Sequence, residues 1–163
     1  MTDIATTPAT PGVSTADHAR GRGLRWGVPA VAVAAALSAI SVYGDHTLTA
    51  SQRASQEHAL PVIIGVAVVL GGLIFGLAVP RLLRGRHLPG WALAAGILGL
   101  AALAAYWSGL PVVVGTAALL LATTGRRLAA TRAQPANLAI AGAVLGALAI
   151  GADVIGTIVS TYH

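Results

Sequence analysis

Five long apolar segments dominate the chain and restrict what it can fold into. They lie at residues 26–43, 60–79, 88–107, 110–124 and 136–160. At about 1.5 Å per residue, and with arginine side chains that extend the short fourth segment, helices of this length cross a hydrocarbon layer of about 30 Å. The runs do not alternate with polar residues and are rich in Ala and Gly, which excludes strands. We therefore predict an all-α membrane protein with five transmembrane helices in residues 25–163.

The composition agrees with a membrane protein and excludes other classes. Hydrophobic residues make up 56% and charged residues 9% of the chain, and the mean hydropathy is +0.79, whereas soluble domains average roughly 25% charged residues. The net charge of +5 comes from arginines whose positions follow the membrane topology, so no nucleic-acid partner is predicted. Because the chain contains no cysteine, it has no disulfide framework and no thiolate nucleophile.

The N-terminal 24 residues differ from the rest of the chain. They are rich in Thr, Ala, Pro and Gly and show no apolar periodicity, so we predict a disordered cytoplasmic tail over residues 1–24. An alternative is that the basic leader and the first apolar segment form a cleaved signal peptide, which would leave four helices. The length of the tail and the weak cleavage context around Val42 and Gly44 favour a retained helix.

The arginines predict the orientation of the chain in the membrane. Arg53 lies on one side, near Asp45 and Glu57, and the other nine arginines fall on the opposite side. These nine are Arg20, Arg22, Arg25, Arg81, Arg84, Arg86, Arg126, Arg127 and Arg132. The positive-inside rule then gives a cytoplasmic N-terminus and an external C-terminus. The last six of the nine are also candidate ligands of anionic lipid headgroups, which makes membrane lipids a predicted partner.

An internal repeat links the last four predicted helices. "LPVIIGVAVVL" (60–70) and "LPVVVGTAALL" (110–120) share Leu, Pro, Val, Gly, Ala and Leu at a spacing of fifty residues. Each copy is followed by an arginine loop and a further helix. We predict two tandem helical hairpins with the same direction through the membrane. Pro61 and Pro111 are expected in the first turn of their helices, where the missing N–H costs nothing.

Small residues are expected to form the helix interfaces, because lipid provides no hydrophobic drive between helices. Glycines recur along one stripe of three predicted helices. They are Gly65, Gly72, Gly76, Gly96, Gly99, Gly142 and Gly146. We predict that these glycines pack within the chain rather than at a seam between two copies, although a partner membrane protein or a homo-oligomer is compatible with the same pattern.

Part of the chain resembles a known type of membrane protein. The run "YWSGLPVVVGTAALLLA", the arginine loop after it and "LAIAGAVLGALAI" resemble the Gly/Ala-rich helix pairs of small multi-pass actinobacterial inner-membrane proteins of unknown function. The resemblance covers roughly residues 91–150 and consists of packing motifs. It implies a location in the bacterial cytoplasmic membrane, and it brings no catalytic residues with it.

No recognised catalytic motif occurs in the sequence. The patterns GxxxxGK[ST], HExxH and GxSxG are absent, so neither an enzymatic activity nor a cofactor is predicted. Weak metal-ligand candidates emerge on the predicted external side, where carboxylate and imidazole groups would suit zinc or copper. They are Asp45, His46, Glu57, His58 and His163, and their spacing favours ordinary solvated residues over a metal site.

Asp153 is the one acidic residue inside a predicted span. It shares a helical face with Gly142 and Gly146, so its carboxyl group should face neighbouring helices. Tyr106 is the second intramembrane polar candidate and a potential hydrogen-bond partner. An interhelical hydrogen bond and a proton- or cation-binding role are both compatible with this position.

Two functions follow from these features. The first is an accessory or scaffolding subunit that acts through helix packing with partners or lipids, which requires only small-residue stripes and short loops. The alternative is a small proton- or cation-coupled transport or channel subunit that uses Asp153.

Overall fold

The computed structural model confirms an all-helical chain. It describes residues 15–44, 49–85, 87–132 and 136–162, without the side chains of residues 15–20, 106, 107, 128–132 and 162. The helices are α1 (Thr15–Gly44), α2 (Ala50–Leu73), α3 (Val79–Leu83), α4 (Leu88–Ala101), α5 (Leu110–Arg132) and α6 (Ala136–Tyr162). A π-helical turn (Ile74–Ala78) joins α2 to α3, and a 3₁₀ segment (Ala102–Ser108) extends α4. No strand occurs in the residues that the structure describes.

α5 lies at the centre of the bundle. It packs along its length against α4 and α6, which also pack against each other, and α1 covers its remaining side. Val112, Val113, Ala117 and Leu120 of α5 are buried in the resulting core. α2 lies outside this group and packs mainly against α1. The centre of the fold is therefore a three-helix unit of α4, α5 and α6.

Four helical segments of the described chain are long and apolar enough to cross a membrane. These segments are Gly21–Gly44, Ala50–Leu83, Leu88–Ala105 and Ala136–Thr161. α5 is not one of them, although it is the most enclosed helix of the bundle. Large apolar side chains cover the outside of the other helices, for example Val62, Val69, Leu98 and Ile155. An apolar exterior around a nearly uncharged interior is what a lipid-exposed bundle requires.

Both predicted helix starts at the N-terminal end of the chain need correction. α1 begins at Thr15, so residues 15–24 are helical rather than a disordered tail. α2 begins at Ala50, ten residues before the predicted start. Thr49 and Gln52 form a capping box there: the Gln52 amide donates to Thr49 Oγ1 at 3.4 Å, and the Thr49 amide donates to Gln52 Oε1 at 3.0 Å. Pro61 therefore lies inside a helix and not in its first turn.

The two predicted hairpins differ in their packing. α5 and α6 contact each other along their length, whereas in the described residues α2 contacts the 3₁₀ segment after α4 but not α4 itself, and α3 contacts α4. α4 instead packs against α5 and α6. The two copies of the Leu-Pro-Val motif therefore occupy different environments, since α2 is peripheral and α5 is central.

The structure also corrects the predicted packing stripe of α2. A methyl group added at Gly65, Gly72 or Gly76 would meet no atom within 4 Å, so these glycines do not pack against the described residues of other helices. Gly71 faces Val31 of α1 instead, on a buried stripe that includes Ala67. Adjacent positions on a helix differ by about 100°, so the contact face is rotated away from the predicted one.

Candidate functional site

A single stripe of α6 faces the interior of the bundle, and it carries the candidate site. The buried positions along it are Ala139, Gly142, Gly146, Ala149, Asp153 and Thr157. A methyl group on Gly96 of α4 would lie 2.9 Å from the carbonyl oxygen of Gly142, and one on Gly115 of α5 would lie 2.7 Å from that of Gly146. The small residues thus let α6 fit closely between α4 and α5.

Asp153 is fully buried within this stripe, with 0% of its surface exposed. Neither carboxyl oxygen has a hydrogen-bond partner among the residues that the structure describes. The other buried polar side chains of the described chain are Ser38 and Thr157. A buried polar group without a partner is costly, and an orphaned carboxyl group in a well-packed helix therefore marks the site that needs a chemical explanation.

The helix contacts show what lies at the level of Asp153. α1 and α6 run in the same direction, and Gly44 of α1 meets Thr161 of α6. At about 1.5 Å per residue, Asp153 lies roughly 12 Å before Thr161, and Ser38 lies roughly 9 Å before Gly44. The two residues therefore sit within about 3 Å of the same height along the bundle. The Ser38 hydroxyl donates to the carbonyl of Ala34 at 3.0 Å.

The turn between α4 and α5 lies at nearly the same height. Gly109 has a φ of +65°, and a methyl group there would lie 2.7 Å from the Ala34 Cβ and 2.8 Å from the Ala34 carbonyl oxygen. Ser108 Oγ donates to the carbonyl of Ala105 and accepts from the amide of Leu110 at 3.3 Å. Ala105 has non-helical dihedral angles. The non-helical dihedral angles of Ala105 and the positive φ of Gly109 thus lie near the height of Asp153.

The described arginines that predict the membrane orientation lie together at the opposite end of the bundle. Gly23 packs on Phe75, and Gly125 packs on Leu88, which brings together the start of α1, the end of α3 and the end of α5. We call this the arginine end of the bundle, and its exposed arginines are Arg22, Arg25, Arg81, Arg84, Arg126 and Arg127. Residue 126 is 17 positions from Gly109, which corresponds to about 25 Å, so these cations are too distant to neutralise Asp153.

Other predicted site residues are not brought to Asp153. Glu57 and His58 lie exposed on the first turns of α2, and the His58 ring pairs with the Ala54 carbonyl at 2.7 Å. No group of three His, Cys, Asp or Glu that could hold a metal ion occurs in the described part of the chain. Asp45, His46, His163 and Arg86 lie outside the described residues, as do the side chains of Tyr106 and Arg132.

Three glycines form contacts that were not predicted. Gly115 packs on Gly146, and both Gly23 and Gly27 pack on Phe75 in the π-helical turn. A methyl group on Gly27 would lie 2.6 Å from Phe75 Cγ. Gly23 and Gly27 form a GxxxG pattern that would have indicated this contact, but it was overlooked because the first helix was predicted to begin at residue 26.

No protein-family model, no curated protein and no solved structure matches this chain.

Proposed function

We propose that the chain is a multi-pass protein of the bacterial cytoplasmic membrane, with its N-terminus in the cytoplasm and its C-terminus outside. Four long apolar helices and an apolar exterior support a membrane location. The grouping of six described arginines at one end of the bundle supports the orientation, because basic residues stay on the cytoplasmic side. The exposed arginines Arg81, Arg84, Arg126 and Arg127 are also placed to bind anionic lipid headgroups there.

Reporter fusions test this topology. We expect an alkaline phosphatase fused after His163 to be active, because that enzyme folds only outside the cytoplasm, and a fluorescent protein fused before Met1 to fluoresce in the cytoplasm. If the phosphatase were inactive and a fluorescent protein fused at the C-terminus fluoresced, the C-terminus would lie in the cytoplasm. The chain would then have the opposite orientation or one span fewer.

Within that membrane, we propose that the chain is an accessory subunit that binds a partner membrane helix through the outer face of α2. The observation that carries this proposal is the open space over Gly65 and Gly72 of α2 and over Gly76 in the π-helical turn after it, beside exposed apolar residues such as Val69 and Leu73. Glycine in a membrane helix is useful where a second backbone approaches closely. In the described chain no helix takes that place.

A matched pair of variants tests the contact. Gly72→Leu fills the open face of α2, and Gly151→Leu fills an equally open position on α6, since neither glycine has an atom within 4 Å of an added methyl group. We expect the wild type in mild detergent to run as a complex larger than the 16.2 kDa chain, Gly72→Leu to run as the single chain, and Gly151→Leu to behave as the wild type. A single-chain wild type, or equal behaviour of the two variants, contradicts the proposal.

The alternative function is a proton- or cation-coupled transport or channel subunit. The fully buried and unpartnered carboxyl group of Asp153 favours it, because ionisable residues within a membrane mark ion pathways more often than they stabilise a fold. It predicts that Asp153→Asn abolishes a pH-dependent cellular phenotype while the protein still accumulates in the membrane at the wild-type level.

A further inference from the structure

We infer that Asp153 is a hydrogen-ion-binding site that exchanges protons only with the end of the bundle formed by Gly44 and Thr161, which we call the Gly44 end. The inference rests on the proposed membrane location but not on the partner contact at α2. The bound hydrogen ion forms one O–H bond with the carboxylate and so converts it to a neutral carboxylic acid. No other reactant is needed.

Asp153 is enclosed by packed helices and is closed to charged groups larger than a small ion. Its exposed fraction is 0%, so neither a lipid headgroup nor a basic side chain of a partner reaches it in this packing. An unpaired carboxylate in an apolar interior costs far more than a neutral carboxylic acid. The structure therefore requires a small cation at this position or a proton on the carboxyl group.

The surroundings of Asp153 suit a proton better than a metal ion. A metal such as Ca²⁺ or Mg²⁺ needs about six oxygen ligands. Among the described residues no cluster of three His, Cys, Asp or Glu exists, and of the positions that flank Asp153 on the α6 stripe, Ala149 and Thr157, only Thr157 carries a side-chain oxygen. The Ser38 hydroxyl already donates to Ala34. A proton needs no further ligand, so it suits this site better than a metal ion.

The two directions along α6 from Asp153 differ in polarity. From Asp153 towards the Gly44 end, α6 carries Thr157, Ser160 and Thr161, and the last two hydroxyls both donate to the Thr157 carbonyl, at 2.9 and 2.8 Å. Polar side chains of this kind hold water or relay protons. Towards the arginine end, the buried stripe offers only the glycines and alanines described above. On α6, the polar side chains nearest to Asp153 therefore lie on its Gly44 side, and the stripe on its other side is apolar.

No other described titratable or charged group competes for the proton. On α1, Arg22 and Arg25 lie at the arginine end, and the Tyr43 side chain is 56% exposed. α4 carries no titratable residue, and the described charges of α5 are the arginines at its far end. The side chain of Tyr106 in the 3₁₀ segment lies outside the described residues. Arg53 belongs to α2, which does not contact α6 in the described chain.

Labelling with dicyclohexylcarbodiimide tests the inference on the full-length protein in liposomes. This apolar reagent dissolves in the lipid and reaches a buried carboxyl group when neighbouring helices separate transiently. It takes the proton of a carboxylic acid, the carboxyl oxygen adds to its central carbon, and an acyl shift leaves a stable N-acylurea. Protein orientation is selected through a C-terminal tag, and the pH is varied on one side at a time. Labelling of the peptide that contains Asp153 is then measured by mass spectrometry.

We expect Asp153 to be labelled. As the pH on the Gly44 side rises, the labelling rate should fall about tenfold per pH unit once the carboxyl group is mostly ionised. A change of pH on the other side should leave the rate unchanged. Dependence on the pH at the arginine end, or no labelling at any pH, overturns the inference. Protection by sodium at constant pH on the Gly44 side also overturns it, because a metal ion would then occupy the site.

Two control variants keep the result interpretable. Asp153→Asn has the same shape but cannot ionise, so it should elute as the wild type on size exclusion and show no label in that peptide. Glu57→Gln removes an exposed carboxylate of α2 and should leave the labelling of Asp153 unchanged. A Glu57→Gln variant that loses the Asp153 label would show that the reagent reports a global change, which also overturns the inference. Failure of the topology fusions would show separately that the membrane placement is at fault.

Discussion

Replacing Gly109 with alanine is expected to lower the free energy of unfolding by about 2–5 kcal/mol, as the sum of two effects. The left-handed conformation at a φ of +65° costs an L-residue about 1–2 kcal/mol. The added methyl group would also lie 2.7–2.9 Å from the Cβ, carbonyl oxygen and Cα of Ala34, and overpacking of this kind costs about 1–3 kcal/mol. Two of those three atoms belong to the backbone of α1 and cannot rotate away.

Reversible unfolding in detergent, followed by circular dichroism, measures this loss. Gly90→Ala is the matched control, because Gly90 lies exposed in the first turn of α4 with no atom within 4 Å of an added methyl group. The double variant Ala34→Gly/Gly109→Ala should recover only a small part of the loss, since it removes the Ala34 Cβ but not the other two atoms. Equal stability of the Gly90 and Gly109 variants would contradict the prediction.

Gly142→Ala and Gly151→Ala are expected to change stability in opposite directions although both lie on α6. A methyl group at Gly142 would overlap the carbonyl of Ala92 and lie 2.7 Å from the amide nitrogen of Leu93. α4 and α6 must therefore separate, at a cost of about 1–3 kcal/mol. Gly151 has no such neighbour, and alanine there should stabilise the helix by up to about 1 kcal/mol.

The same unfolding assay compares the two substitutions on a common scale. The sign of the difference is the test, because intrinsic helix propensity alone would make both changes stabilising. A stabilising Gly142→Ala substitution would show that α4 and α6 are not in close contact at this height.

The sequence was sufficient to predict the helical class and the last four helices to within a few residues at most ends. Hydrophobicity and length carry that information directly, because a long apolar run without alternation has one regular solution. The start of α2 was missed because its first ten residues are polar, and only the capping box of Thr49 and Gln52 indicates a helix there. That signal is local hydrogen bonding and not hydropathy.

The glycine stripe of α2 could not be placed from the sequence for a different reason. Gly71 and Gly72 are adjacent, and the choice of which one faces α1 depends on the rotation of the whole helix. The π-helical turn at Ile74–Ala78 changes that rotation, because it contains more residues per turn than an α-helix. Periodicity alone therefore gives a set of candidate faces but not the one that packs.

Asp153 also shows what a sequence pattern can predict and what it cannot. The spacing from Gly142 and Gly146 predicts an inward-facing carboxyl group, and the structure places it in the interior. The absence of a described partner, the height of Ser38 and the nearby turn at Gly109 depend on how α1 and the 3₁₀ segment meet α6. Contacts between segments more than forty residues apart carry no local sequence signal.

The central position of α5 has a consequence for how the chain is assembled. α5 is enclosed by α1, α4 and α6, so its buried faces lack their partners until the last of these helices has been synthesised. Since Gly109 is the only residue between the 3₁₀ segment of α4 and α5, the two are joined as a tight hairpin, and α1 precedes both of them in the chain. α6 arrives last and closes the remaining side. Biogenesis of the central helix is thus a property of its neighbours and of the order in which they are translated.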